Sequence, residues 1–198
     1  MYNQLSITMP GFDTIYKVLS KNLKTKFSFS VDYDPTHNKI AGVLVIIHGS
    51  DYDPSILFTK RSNKLKFHAS EISFPGGNFV INDSNPLNTA LRETKEEIGM
   101  DIPSESVLGA LDPVHTLSSN YFIYPYVAMV EHMTHTRANE EVQEIFSIPI
   151  ENLLRVSLQD FKQTKNTQPQ QTQYISWENY VIWGATARIL RLLLNNLE

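Results

Sequence analysis

The stretch SFPGGNFVINDSNPLNTALRETKEEIGM, Ser73 to Met100, decides the fold and poses a problem of charge. Asn85 followed by Pro86 is a favourable N-cap and first-turn pair, and Gly99 is the usual stop, so the spacing predicts a helix over Pro86 to Ile98. At about 100° per residue, Leu87, Ala90, Leu91, Thr94 and Ile98 share a stripe about 100° wide, the expected buried face. Glu93 and Glu97 fall about 40° apart at the edge of that stripe, and Glu96 lies about 60° beyond Glu93. Yet Glu96 and Glu97 occupy the last turn, where the helix dipole disfavours an anion by roughly 0.3–1 kcal/mol. Like charges four residues apart add a similar penalty. Arg92 offsets part of it by pairing with Glu96 at i,i+4, so the flank reads either as a solvated acidic surface or as a site that wants a cation. Carboxylates without His or Cys suit a hard divalent ion, Mg²⁺ or Mn²⁺, better than zinc.

Upstream of the helix, FPGG ends a short predicted strand, and its two glycines, Gly76 and Gly77, let the backbone turn tightly and approach a ligand. Lys60, Arg61, Lys64 and Lys66 form the densest basic cluster of the chain. Such a cluster suits a polyphosphate, although short lysine runs are also common on solvated surfaces. KIAGVLVIIH and SILFTKR read as adjacent strands across the turn-forming GSDYDPS, with further strands expected at Val107 to Leu111, Phe122 to Val130 and near Glu144 to Ile150. GFDTIYKVLSKNL carries Phe12, Ile15, Val18 and Leu19 at helical spacing and predicts an amphipathic helix that caps the fold. A short helix near Glu151 to Leu154 and a closing helix over Trp183 to Leu197 complete the outline, with Trp183 expected in the core. The polar, Gln-rich segment 162–173 is expected to be a mobile loop.

Composition sets outer bounds. A chain of 198 residues, 41% hydrophobic, buries one sizeable core and reads as a single domain, residues 1–198, with 1–39 as an N-terminal helical extension. A net charge of −4 points away from nucleic acid and anionic membranes as main partners. The absence of cysteine excludes disulfides, thiolate metal sites and a cysteine nucleophile. With no leader and no apolar run of about 18 residues, the chain is expected to work in the cytoplasm.

The combination of these features resembles a known family. Gly77, an acid six positions on at Asp83, then Arg92, Glu93, Glu96, Glu97, Gly99 and Met100 follow the signature of the Nudix hydrolases. Asp83 stands where most members have Glu, and eight residues rather than seven separate it from Arg92; both features resemble the coenzyme A diphosphatase branch. LFTKRSNKLKFHASEISFPGG is similar to that branch's upstream motif through Thr59, Arg61, Ser62 and Phe74 to Gly77, with Lys66 replacing an Arg and Ser70 replacing a Gly. Lys66 keeps the charge without the bidentate geometry, and Ser70 stiffens the loop. The resemblance covers about Ile40 to Leu194.

It implies an α/β fold, the Nudix-type α/β/α sandwich with a central mixed sheet and a loop–helix–loop motif. It also implies metal-dependent hydrolysis of a diphosphate, in coenzyme A giving phosphopantetheine and adenosine 3′,5′-bisphosphate. By the same resemblance Glu93 and Glu97 are the principal ligands of Mg²⁺ or Mn²⁺, and Glu96 is a further one. Arg92 is expected to orient Glu96. The base is one of the box carboxylates, or Glu141 or Glu144 from the downstream segment. Lys60, Arg61, Lys64, Lys66, Gly76 and Gly77 are the expected substrate contacts. The expected partner is a small-molecule nucleotide, with no nucleic acid and no membrane, and a homodimer is the assembly to test. Nudix enzymes for ADP-ribose, NADH or a nucleoside triphosphate would carry the same box. A non-catalytic Nudix-fold binding module would be expected to lack the carboxylates that this chain keeps.

Overall fold

The β-branched run KIAGVLVIIH forms the strand that organises the molecule, β1 (Lys39–His48), with Leu44 to Ile47 wholly buried. A run apolar on both faces needs cover on both, and that is what surrounds it. In the computed structural model, residues 10–25, 39–65, 68–116, 119–133, 135–159 and 174–197 are described. Lys66 and the segment 162–173 lie outside them. Along one edge β1 pairs in parallel with β7 (Tyr121–Val130) over its whole length. Along the other it pairs antiparallel with β4 (Gly76–Asn78) near its start and with β2 (Ser55–Arg61) at its end. β2 in turn pairs with β3 (Ile72–Ser73) and β8 (Val142–Pro149), while β5 (Val107–Ala110) and β6 (Val114–Thr116) share the far edge of β7. One parallel pair among antiparallel ones makes the expected mixed sheet.

Two layers of helix cover it. On one face lies α2 (Pro86–Ile98), packed over Leu44, Ile46, Leu57 and Tyr126. A Cβ on Gly42 would stand 1.9 Å from the Pro86 carbonyl oxygen, so glycine at that point of β1 lets the start of α2 rest directly on the sheet. On the other face lie α1 (Phe12–Asn22), α3 (Ile150–Gln159) and α4 (Gly184–Asn195). An eleven-residue helix such as α1 is marginal alone. It is held by burying Phe12, Ile15 and Leu19, each contributing about 1.5–3 kcal/mol.

The sequence expectations need four corrections. The closing helix begins at Gly184, after a hairpin of β9 (Tyr174–Trp177) and β10 (Tyr180–Trp183). Its two-residue connection puts Glu178 at φ 50°, the positive φ that such tight hairpin turns require. Trp183 is not in the core: strand alternation turns Ile182 inward and leaves Trp183 45% exposed. Finally, β6 is a strand of its own, and α3 runs to Gln159 rather than stopping at Leu154.

Candidate active site

α2 is capped as its ends predict. The Asn85 side chain accepts from the Asn88 amide at 2.9 Å, and Gly99 closes the helix at φ 73°. The crowded acidic C-terminus is relieved from outside. The Arg137 and Asn139 amides donate to the carbonyls of Ile98 and Glu97 at 2.8 and 2.9 Å, so the loop before β8 supplies partners that the last turn lacks. Lys95 takes Asp101 at 2.7 Å.

The buried stripe of α2 is rotated from the expected one. Leu87 and Leu91 are only half-buried, while Thr89 and Glu97 are buried, so the helix turns one carboxylate inward. Glu97 is 5% exposed, and its Oε2 accepts from the Gly76 amide at 3.1 Å. Burial pushes the Glu97 carboxyl up to about 7, against the Gly76 amide and the Arg61 charge, which pull it down; Glu93 and Glu141 push in the same direction as burial. Glu93 is raised too, mainly by burial and against Arg92, with Glu96 and Glu141 adding repulsion. A Cβ on Gly77 would lie 2.4 Å from the Glu93 carboxyl carbon, so that glycine leaves Glu93 its place against the loop.

Arg61 faces this group from β2. Its Nη1 lies 3.8 Å from Glu97 Oε1 and its Nη2 lies 3.7 Å from Glu141 Oε2, both beyond hydrogen-bond length. Its Nε is buried without a hydrogen-bond partner. Four groups therefore converge: Glu93, Glu97, Glu141 and Arg61.

Arg92 serves a second knot. Its Nε and Nη2 donate to Asp83 at 2.9 and 3.0 Å, and its Nη1 reaches Glu93 at 2.9 Å and Glu96 at 3.0 Å. Asp83 is buried and also accepts from Thr89 Oγ1 at 2.8 Å. The bond from Arg92 holds the Asp83 carboxyl below its usual range. Sequence reading placed Asp83 in the motif without giving it this work. The available signal was a lone acid nine residues before an arginine, with a helix N-cap between them.

Other candidates are not brought in. Strand alternation divides Lys60 from Arg61: Lys60 sits opposite Glu144 on the face of Ile56 and Phe58, away from α2. Glu144 lies on that same far face and accepts from Tyr180 Oη at 2.6 Å. Lys64 is exposed in the loop after β2. Ser70 takes φ 63°, a left-handed conformation that glycine adopts freely and serine does not. His68 contacts Glu71, and His115 stacks on Phe122 with ring centres 4.4 Å apart. A cavity of about 510 Å³ opens between the end of α2 and the 137–140 loop, walled by Glu96 but by neither Glu93 nor Glu97.

Among the described residues, no three acidic or imidazole side chains are drawn closely enough together to cage an ion. The donor set nevertheless fits one. Glu93, Glu97 and Glu141 offer only oxygen, and two of them are raised by burial and mutual repulsion, which a hard divalent cation would relieve.

A mixed sheet between helical layers, with this acidic helix set behind a Gly-Gly loop, defines a Nudix domain. The sequence profile of the NUDIX domain matches residues 38–172, and the chain belongs to the Nudix hydrolase family, enzymes that act on phosphorus-containing anhydrides. It is 37% identical over 143 residues to the uncharacterized Nudix hydrolase NudL of Yersinia enterocolitica, covering 71% of this chain and 73% of the relative. To NudL of Yersinia pestis it is 36% identical over 163 residues, covering 81% of each. Among solved structures, a MutT/nudix family protein from Enterococcus faecalis superposes with a TM-score of 0.53 at 17% identity, over 79% of this chain and 54% of that longer one. The NUDIX domain of Shewanella oneidensis NrtR, solved with ADP ribose, superposes at 0.50 and 19% identity, over 63% of this chain and 82% of that one. At these identities the structures attest the fold. Nudix hydrolases as a class use divalent metal ions. Among the described residues, no helix is long and apolar enough to cross a membrane.

Proposed function

We propose that the chain is a divalent-metal-dependent diphosphatase of coenzyme A or its derivatives, releasing phosphopantetheine and adenosine 3′,5′-bisphosphate. The reading rests on one observation: Glu93, Glu97 and Glu141 converge with Arg61 beside the Phe-Pro-Gly-Gly loop. Arg61 belongs to the upstream motif and the carboxylates to the box or the loop before β8, so the fold joins the two motifs at one place.

Glu93 and Glu97 would hold Mg²⁺ or Mn²⁺, with Glu96 or Glu141 as a further ligand. Bound there, the ion would neutralise the diphosphate and activate a water for in-line attack on phosphorus. The rest is done by the chain. The Gly76 amide fixes one oxygen of Glu97 and leaves the other with only the longer Arg61 contact at 3.8 Å. The Asp83–Arg92 knot holds the flank of α2 so that Glu93 and Glu96 keep their places. Arg61 carries paired donors suited to phosphate oxygens. Glu141, more than half exposed on the rim, takes the proton of the attacking water; Glu144, on the other face, does not. A cysteine-free composition is compatible with work in the cytoplasm.

A second reading, a Nudix hydrolase of ADP-ribose or NADH, uses the same carboxylates and is disfavoured by the match of Thr59, Arg61 and Ser62 to the coenzyme A motif. Incubating the purified protein with Mg²⁺ or Mn²⁺ and coenzyme A, ADP-ribose and NADH in parallel, with products identified by mass, separates them. The expected result is fastest release of adenosine bisphosphate from coenzyme A. Faster turnover of ADP-ribose or NADH would overturn the substrate and keep the reaction. No metal-dependent product from any of the three would overturn both.

A further inference from the structure

Arg61 is held oddly for a structural arginine. A guanidinium committed to a scaffold makes short, forked hydrogen bonds to carboxylates, as Arg92 does to Asp83 at 2.9 and 3.0 Å. Arg61 makes none of that kind. Its two terminal nitrogens stand 3.8 and 3.7 Å from Glu97 and Glu141, and its buried Nε has no partner at all. A buried N–H left unpaired is costly, so this conformation is tolerated only because something else favours the charge where it lies. What favours it is the anionic group. Arg61 is the cation that faces both Glu97 and Glu141, and the short bond to Glu97 comes from the Gly76 amide. The same two carboxylates lie within the electrostatic reach of Glu93.

We infer that Arg61 stands in for the divalent cation while the site holds none, and swings off Glu97 and Glu141 when the ion enters, turning its donors toward the substrate diphosphate. The inference rests on reading Glu93, Glu97 and Glu141 as the cation site. Its long contacts are then functional, because a guanidinium locked by short bonds could not be displaced. Its orphan Nε also gains a partner only once a phosphate oxygen arrives. Metal and substrate become coupled through one side chain: the ion frees the arginine, and the arginine then holds the substrate. Arg61 acts as a positioning residue in the first state and a binding residue in the second.

The test is the affinity for Mn²⁺ alone, with no nucleotide, measured by titration calorimetry at about pH 8.5 so that the carboxylates are ionised. Wild type, Arg61→Met, Arg61→Lys and Glu97→Gln are compared. If the guanidinium competes with the ion, Arg61→Met binds Mn²⁺ about three- to tenfold more tightly than wild type, since the ion no longer displaces a like charge. Arg61→Lys, which keeps the charge, stays near wild type. A scaffold role predicts the opposite sign, because removing a support loosens the ligands. Unchanged or weaker binding by Arg61→Met, with Glu97→Gln clearly weakened, overturns the inference and leaves the cation site standing. Equal binding by wild type and Glu97→Gln removes the cation site and the inference together. Should Arg61→Met fail to fold, Arg61→Gln carries the same expectation with the polar head retained.

Discussion

Asp83 and Glu97 are both carboxylates buried against α2, at 8% and 5% exposure, yet their charges are treated in opposite ways. Asp83 receives a forked arginine, a threonine hydroxyl and a backbone amide, and its carboxyl is pulled below the usual range. Glu97 receives one amide and a distant guanidinium, and its carboxyl is pushed up to about 7. The knot around Asp83 is electrostatically complete and the well around Glu97 is left short of positive charge. A complete network fixes a shape, whereas a deficient one awaits a ligand.

The comparison breaks first at the knot. Asp83→Ala leaves Arg92 facing Glu93 and Glu96 without its main partner and leaves Thr89 Oγ1 without its short bond to a carboxylate. Removing one member of a buried pair costs about 3–5 kcal/mol, and the lower end applies because Arg92 is about a third exposed. A melting temperature lower by roughly 6–12 °C is the expected outcome for a chain of this size. A shift under about 2 °C would show that the knot is ornamental.

At the well the loss falls on chemistry instead. Glu97→Gln keeps the shape and removes the charge, so turnover falls at least about 100-fold while the fold persists. Near-normal turnover in a folded variant would sink the role given to Glu97. The same variant reports on the missing positive charge through the pH dependence of metal-free stability. Glu97 titrates near 7 when folded and near 4.5 when unfolded, so between these values the unfolded chain has lost a proton that the native one retains. Native stability is therefore fully present below about 4.5 and declines as pH rises to about 7. At about 1.4 kcal/mol per unit over about 2.5 units the decline amounts to at most about 3.5 kcal/mol. Denaturant melts of the metal-free protein in that window check it. Glu97→Gln lacks this component, and equal slopes in the two proteins would contradict the burial of Glu97.

Most of this division was legible in the sequence, but not all of it. The limits of α2 are written in local chemistry, Asn-Pro at one end and Gly at the other, and local chemistry survives tertiary packing. Rotation about the helix axis is not local. Which stripe faces inward depends on what lies opposite, and Gly42 with the Gly76 amide drew Glu97 into the interior where a wheel left it at the edge. The basic cluster failed for a related reason. Lys60 and Arg61 are neighbours in sequence, and period-two alternation sends neighbours in a strand to opposite faces, so a count of charges was blind to the sheet between them. The hairpin before α4 was readable. Ile175 and Ile182 flank Glu178-Asn179 with the alternation of paired strands, and helical spacing further on drew Trp183 into the wrong element.

The smallest effect tests that separation of faces. Glu141 and Glu144 lie close in sequence and were equal candidates for the base, but a register shift between Lys60 and Arg61 and the sheet itself set them apart. Glu141 reaches Arg61 on the α2 side, while Glu144 takes the Tyr180 hydroxyl under the hairpin, where the Phe146 and Tyr180 rings stack with centres 4.0 Å apart. Glu144→Gln keeps a carbonyl oxygen for Tyr180 to donate to and leaves the aromatic stack alone. Its cost in stability is expected below about 1 kcal/mol, and its turnover within about twofold of wild type. Glu141→Gln removes the rim carboxylate and is expected to lower turnover by about tenfold or more with the melting temperature unchanged. Initial rates on the same substrate decide between them. If Glu144→Gln is the more damaged of the two, the far face of the sheet carries chemistry after all, and the proton has to be followed through Tyr180 instead of across the rim.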